Sequence, residues 1–225
     1  MRIDIISDTI CPWCFVGKKR LEAALAKQPH LNPEIVWHPF QLNPEMPREG
    51  KDRKQHNRER FGAETLPPNM LDGIKAAAKS VGLEMQFGAQ SRVPNTLNSH
   101  RVVHWAGQLG PEVQDKVMTS MFRRYFQEGA DVGDVDVLAA AAADGGMDAA
   151  EVKRRLATDE DEDLIKAADE YVRSLGISGV PTFIVDSKYA LQGAQEPDTF
   201  LQLFARIAAE EAAGPREAEE PRPGA

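Results

Sequence analysis

The chain is 225 residues long, 42% hydrophobic and 28% charged, with a net charge of −8 and a pI near 5.2. That size fits one large domain or a domain carrying an insertion, and the acidity speaks against a nucleic-acid partner, which wants a basic face. No apolar run approaches the roughly 20 residues of a membrane span and no basic-then-apolar leader opens the chain, so the expected setting is cytoplasmic, away from membranes.

Arg2 to Ser7 alternates well enough for a strand. Ten residues in comes Cys11-Pro12-Trp13-Cys14, which holds the only two cysteines of the chain. Pro12 to Lys27 reads as a helix with Leu21 and Leu25 on one face, broken by Pro29 to Pro33. Glu34 to Leu42 reads as a second strand. The opening 42 residues therefore spell β-α-β, with the cysteines at the first turn. Asn43 to Arg60 is polar and rich in proline and charge. From Pro67 to Leu175 the pattern is helical, with candidates at Asn69–Val81, Asn95–Leu109, Glu112–Glu128, Val135–Asp144, Asp148–Leu156 and Asp159–Leu175, and no strand signal interrupts it. Asn95 or Thr96 suits the cap of the second of these helices and Asp134 the cap of the fourth. Thr182–Asp186 and Tyr189–Gln192 form a hairpin about a turn at Ser187-Lys188. Pro197–Ala209 is a last amphipathic helix, and residues 213–225 read as a disordered tail.

A C-x-x-C pair at a strand-to-helix junction has the arrangement of a thiol–disulfide exchange centre. The first cysteine lies where a helix N-terminus offers free N–H groups and about half a positive charge, a field that stabilises a thiolate. Pro12 suits the first helical position, where its missing N–H costs nothing. One turn sets the two Cα atoms roughly 5 Å apart, inside the roughly 4.4–6.8 Å span of a disulfide. A persistent structural disulfide is uncommon in the cytosol. A zinc site would need two more ligands, and there is no second C-x-x-C. His100 and His104 have i, i+4 spacing but read as packing or solvent-facing, so no metal is expected. Lys18-Lys19-Arg20 is a candidate basic patch beside the cysteines. There is no phosphate loop and no G-x-G-x-x-G, so no nucleotide or flavin is expected.

The element order and several separated motifs resemble the DsbA-like thioredoxin superfamily and, within it, the FrnE-like subgroup. The matching segments are Ser7-Asp8 with Cys11-Pro12-Trp13-Cys14, Pro94-Asn95-Thr96 with His100, Tyr125 to Gly129, Asp134 to Leu138, and Gly179-Val180-Pro181-Thr182-Phe183. The resemblance runs over roughly residues 1–210. It implies an α/β thioredoxin fold with a large all-helical insertion: residues 1–43 and 176–212 form the thioredoxin-like domain and 44–175 the inserted helical domain.

It also implies that Cys11 is the nucleophile and Cys14 the resolving thiol, with Cys11 the more exposed, and that Val180-Pro181 is a cis-proline bond facing them. Pro12, Trp13, Val180, Pro181 and Thr182 would then line the substrate site, Trp13 as an apolar wall and Val180 as backbone that pairs with an extended substrate. Asp8 reads as a proton acceptor for Cys14, as a helix-cap neighbour or as a solvated turn residue. Asn95 and His100 resemble positions lining the cleft between the two parts, and read alone they suit a cap and a helix surface equally.

The first functional expectation is a dithiol–disulfide oxidoreductase acting on protein or small-thiol substrates, with no cofactor beyond its own dithiol and with glutathione as a candidate co-substrate. A glutathione poise would hold the pair reduced, favouring reductase or isomerase work. One alternative is a glutathione-dependent isomerase or transferase of a small aromatic or polyketide-like substrate, although such enzymes usually show serine where Cys11 stands. Another is a non-enzymatic holdase. The sequence leaves the oligomeric state open, a dimer included.

Overall fold

In the computed structural model, which describes residues 1–213, β1 (Arg2–Ser7) runs into α1 (Pro12–Ala26) and back through β2 (Glu34–Pro39). A long excursion follows: β3 (Lys51–Asp52), α2 (Arg53–Phe61), α3 (Pro68–Ser80), β4 (Arg92–Val93), α4 (Leu97–Leu109), α5 (Pro111–Phe126), α6 (Val135–Asp144), α7 (Ala149–Leu156) and α8 (Glu162–Ser174). The chain then returns through β5 (Thr182–Val185), β6 (Tyr189–Gln192) and α9 (Pro197–Ala213). The expected tail lies, from residue 214 on, outside the described residues.

The four-stranded sheet has the order β2-β1-β5-β6, with β1 parallel to β2 and the other neighbours antiparallel. This is a thioredoxin fold with a helical block between its halves, as the element order predicts. Alternation along the strands decides the faces. Ile5 stands beside Trp37 and Phe183 in register, and Ile3, Ile5, Phe183 and Val185 bury in one core with Phe15, Leu21, Phe200 and Phe204. Ile6 turns the other way and packs with Phe40, Val172 of α8, Val180 and Ile184. The hairpin turns at Asp186 and Ser187, both with positive φ, one residue earlier than predicted.

The helical block is locked to the edge of the sheet. On α5, the Gln114 side-chain oxygen accepts the Trp37 N–H at 2.9 Å and its amide donates to the Trp37 carbonyl at 3.1 Å, so one side chain satisfies an edge that would otherwise invite another strand. Asp115 receives the Trp37 indole N–H at 3.0 Å and the Lys18 ammonium at 2.9 Å. Phe15, the residue after Cys14, stacks on Phe122 of α5 with ring centroids 5.1 Å apart.

Four further sequence expectations need correction. The second strand stops at Pro39 rather than Leu42, because side chains claim the next amides: Gln41 N–H donates to Asp169 at 3.0 Å and Leu42 N–H to Asp8 at 2.7 Å. The polar stretch before Arg60 contains α2, capped by Asp52, whose carboxylate accepts the Gln55 N–H at 2.9 Å; its single buried residue, Asn57, leaves no hydrophobic stripe to read. The helical region is interrupted by β4, which pairs with β3 of the polar stretch before it. The last helix of the block starts at Glu162 rather than Asp159, after Asp161 turns at φ 62°.

Candidate active site

Burial places Cys11 and Cys14 at the one point where β1, the start of α1 and the turn into β5 converge. Ser7 ends β1, and the Cys11 N–H closes the following turn by donating to the Asp8 carbonyl at 3.1 Å. Cys11 is the N-cap of α1, in extended conformation, with Pro12 just inside the helix. Its own carbonyl accepts the N–H groups of Cys14 and Phe15, at 3.1 and 3.4 Å. No acidic side chain sits in the first turn and no side chain caps it, so nothing local competes with a sulfur anion for the helix field. Both thiols are free.

Cys11 is 4% exposed and Cys14 1%. The expected order holds, but neither is open to solvent. The cover comes from Val180, whose carbonyl accepts the Cys11 S–H at 3.7 Å. The Val180–Pro181 peptide is cis, as the resemblance implies. The Pro181 carbonyl accepts the Gly193 N–H at 2.7 Å and the Thr182 hydroxyl donates to Gly179 at 2.9 Å, fixing the turn from both ends. Pro12 and Trp13 are half-buried, and Trp13 packs against the core rather than standing free.

Burial pushes the Cys14 thiol well above its usual range, and the neighbouring Cys11 pushes the same way; the Ser7 hydroxyl and the Asp8 backbone work in the opposite direction. Cys14 is therefore a neutral thiol at physiological pH.

Asp8 is completely buried, which overturns the solvated-turn alternative. One carboxylate oxygen accepts the Leu42 N–H. The other lies 3.4 Å from Nε2 of His100, also buried. Asn95 stands apart from this pair. Its amide donates to the Met46 carbonyl at 2.6 Å, and its oxygen accepts the Leu97 N–H at 2.9 Å, capping α4 in place of Thr96. His104 pairs with Gln108. The structure thus joins Asp8 and His100 and leaves Asn95 to hold the loop.

The Lys18-Lys19-Arg20 patch dissolves. Lys18 is buried between Glu22 and Asp115, at 2.5 and 2.9 Å. Arg20 is buried against the Ala194 carbonyl and Glu196, and Lys19 pairs with Glu22. An i, i+4 carboxylate on the same helix was the readable warning.

Sequence reasoning missed Gly17. A glycine inside a helix costs about 1 kcal/mol relative to alanine, which is a signal in itself. A Cβ on Gly17 would stand 3.0 Å from the Pro181 ring and 3.1 Å from Phe183. The glycine lets α1 approach the turn that covers Cys11.

Residues 2–205 match the family model of the DSBA-like thioredoxin domain. The chain is 29% identical over 201 residues to the YwbO protein of Bacillus subtilis, covering 89% of this chain and 94% of that one. The crystal structure of a probable DsbA oxidoreductase, SCO1869 of Streptomyces coelicolor, superposes with a TM-score of 0.80 at 30% identity, over 93% of this chain and 91% of that one. The cytosolic disulfide reductase DsbM of Pseudomonas aeruginosa, solved with glutathione, shares the fold at a TM-score of 0.66 and 17% identity, over 93% and 100%.

Proposed function

The chain belongs to the DSBA-like thioredoxin domain family, and from that membership we propose that it is a dithiol–disulfide oxidoreductase in which Cys11 attacks and Cys14 resolves. One observation carries the reading: Cys11 caps a helix with no acidic residue in its first turn, beneath the Val180 carbonyl, while Cys14 one turn on is held neutral by burial. At neutral pH the pair offers one sulfur to the helix field and keeps the other in reserve.

The Cys11 thiolate attacks a substrate disulfide, forms a mixed disulfide and expels the first substrate sulfur as a thiolate. Cys14 loses its proton and attacks the Cys11 sulfur. The bond to the substrate breaks, the second substrate sulfur leaves as a thiolate, and the substrate has gained two electrons that the cysteine pair has lost. Two equivalents of an external thiol restore the dithiol. Pro12, Trp13, Val180, Pro181 and Thr182 frame the entry, with the Val180 backbone available to an extended substrate strand once the Cys11 proton no longer occupies its carbonyl.

The proposed setting is the cytoplasm, with glutathione as the recycling thiol, and it leans on the fold shared with DsbM. Protein and small-molecule disulfides both suit the reaction. An isomerase that merely positions glutathione needs no second cysteine at one-turn spacing, which disfavours that alternative.

The test is reduction of insulin, and of oxidised glutathione, by the reduced protein. We expect turnover that Cys11→Ser abolishes while the fold is kept. Glutathione-dependent activity surviving in Cys11→Ser would support the isomerase or transferase reading. Client binding indifferent to both cysteines, without turnover, would support a holdase.

A further inference from the structure

The turn that delivers Cys11 is enclosed along its whole length. Asp8 and Thr9 are fully buried, and Ile10 and Cys11 nearly so, although a connecting segment ordinarily runs over the surface. Each residue has its own anchor. The Asp8 carboxylate holds the Leu42 N–H after β2, Ile10 packs in the main core, and the Cys11 sulfur meets Val180. Thr9 reaches into the helical block. Its hydroxyl lies 2.8 Å from that of Ser99 on α4, across 90 residues of sequence.

The direction of that bond follows from counting hydrogens. A serine hydroxyl has one to give, and Ser99 gives it to the Thr96 carbonyl at 2.8 Å. Ser99 therefore accepts and Thr9 donates. The Thr96 carbonyl also takes the His100 N–H at 3.0 Å, in the first turn of α4, so the relay ends on backbone that the helix itself fixes. Thr9 and Ser99 are both 0% exposed. In so dry a place a hydroxyl without its partner is costly, so the link favours one position of the turn over its neighbours.

Thr9 is the second residue of the turn that the Cys11 N–H closes on the Asp8 carbonyl at 3.1 Å. A shift of Thr9 is passed to Cys11, the residue that caps α1. The field of a helix end falls off within about one turn, so a displaced sulfur is held less well as a thiolate. Cys14, by contrast, rides on α1, which is anchored separately through Phe15 on Phe122 and Lys18 on Asp115.

We propose that Ser99 is a positioning residue for the nucleophile: by accepting the Thr9 hydroxyl it sets the Asp8–Cys11 turn, and so keeps the Cys11 sulfur in the field of α1 and beneath Val180. This rests on the exchange reaction proposed above. Thr9 and Ser99 act through the turn, and the step they govern is attack. The inserted block thereby has a share in the chemistry through α4, besides flanking the sheet.

The experiment is made in Cys14→Ser, where the adduct with oxidised glutathione is expected to persist. It follows adduct formation at Cys11 by acid quench and mass spectrometry, from mildly acidic to alkaline pH, in that parent and with Thr9→Val, Ser99→Ala or Thr9→Ser added. The titratable groups about Cys11 are Cys14, which the parent replaces, and Asp8 beside His100; the added substitutions remove neither Asp8 nor His100. Thr9→Val keeps the shape and loses the donor, Ser99→Ala loses the acceptor, and Thr9→Ser keeps the hydroxyl. We expect Thr9→Val and Ser99→Ala to form the adduct about tenfold more slowly at neutral pH, the size of one buried hydrogen bond left unmade. The deficit should close at alkaline pH, where Cys11 is ionised in every variant. Thr9→Ser should react at the parent's rate, and the double variant Thr9→Val, Ser99→Ala should be no slower than the slower single, since both remove one bond. Either single variant that folds suffices.

Attack at the parent's rate in Thr9→Val and Ser99→Ala, a deficit equal at every pH, or a deficit that Thr9→Ser shares would overturn the positioning role and leave the exchange reading standing. If the Cys14→Ser parent forms no adduct at Cys11, the exchange reading falls and this inference with it.

Discussion

The carbonyl of Val180 accepts the Cys11 thiol at 3.7 Å, across 169 residues of sequence. That bond joins the start of α1 to the turn into β5. It also means that the neutral form of Cys11 occupies the acceptor that an incoming substrate backbone would use. The Cys11 thiol and an incoming substrate backbone thus compete for one acceptor.

Alkylation should separate the two thiols. Burial and the neighbouring Cys11 hold the Cys14 thiol far up, so iodoacetamide at neutral pH should label Cys11 in the native reduced protein and reach Cys14 only after unfolding. Peptide mapping by mass spectrometry checks this; native labelling at Cys14 would contradict it.

Gly17→Ala should damage the site from a distance. The new Cβ meets the Pro181 ring at 3.0 Å and Phe183 at 3.1 Å, and Phe183 is pinned edge-on against Phe200. Overpacking costs about 1–3 kcal/mol, and the gain in helix propensity returns about 1 kcal/mol. We expect a net loss of up to about 2 kcal/mol in urea unfolding and slower disulfide reduction, since the turn covering Cys11 must shift. A more stable variant with unchanged rate would show that the turn yields freely.

Lys18→Met should loosen the helical block. Lys18 is buried between Glu22 and Asp115, and Asp115 also holds the Trp37 indole. Breaking a buried pair costs about 3–5 kcal/mol, but both carboxylates are about a third exposed here, so solvent screening cuts the expected loss to about 1–2 kcal/mol. The effect should be non-additive with Trp37→Phe, because the two share Asp115.

Tyr125 gives an alkaline signature. Burial pushes its phenol up to about 12, against the opposing pull of Arg53. An unfolded tyrosine ionises near pH ~10. With the folded value raised, this group's contribution to stability is complete below about pH 10 and is lost as pH climbs through about 12. The absorbance step removed by Tyr125→Phe should appear only at that end of the titration, and the variant should lose less stability over the same window. A step near pH ~10, the ordinary tyrosine range, would mean that the phenol is hydrated.

Much of the site was legible because its chemistry is local or repeats a familiar order. Cys11 and Cys14 stand one helical turn apart, Pro12 marks the helix start, and the Gly179 to Phe183 run announces the turn opposite. What could not be read was long-range. Nothing near Asp8 in sequence tells that its carboxylate is sealed against Leu42 and His100. Nor does Lys18 disclose that Asp115, 97 residues on, will bury it. The α2 helix went unread because only Asn57 faces inward, and the early end of β2 is set by Asp8 and Asp169, acceptors from elsewhere in the chain.

The central claim, attack by Cys11 and release by Cys14, is tested most directly by trapping. Cys14→Ser, mixed with oxidised glutathione or with insulin, should accumulate a mixed disulfide that maps to Cys11 and persists, whereas wild type passes through it to the Cys11–Cys14 disulfide. A Cys14→Ser protein that releases its substrate as fast as wild type, or that carries no adduct at Cys11, would contradict the account.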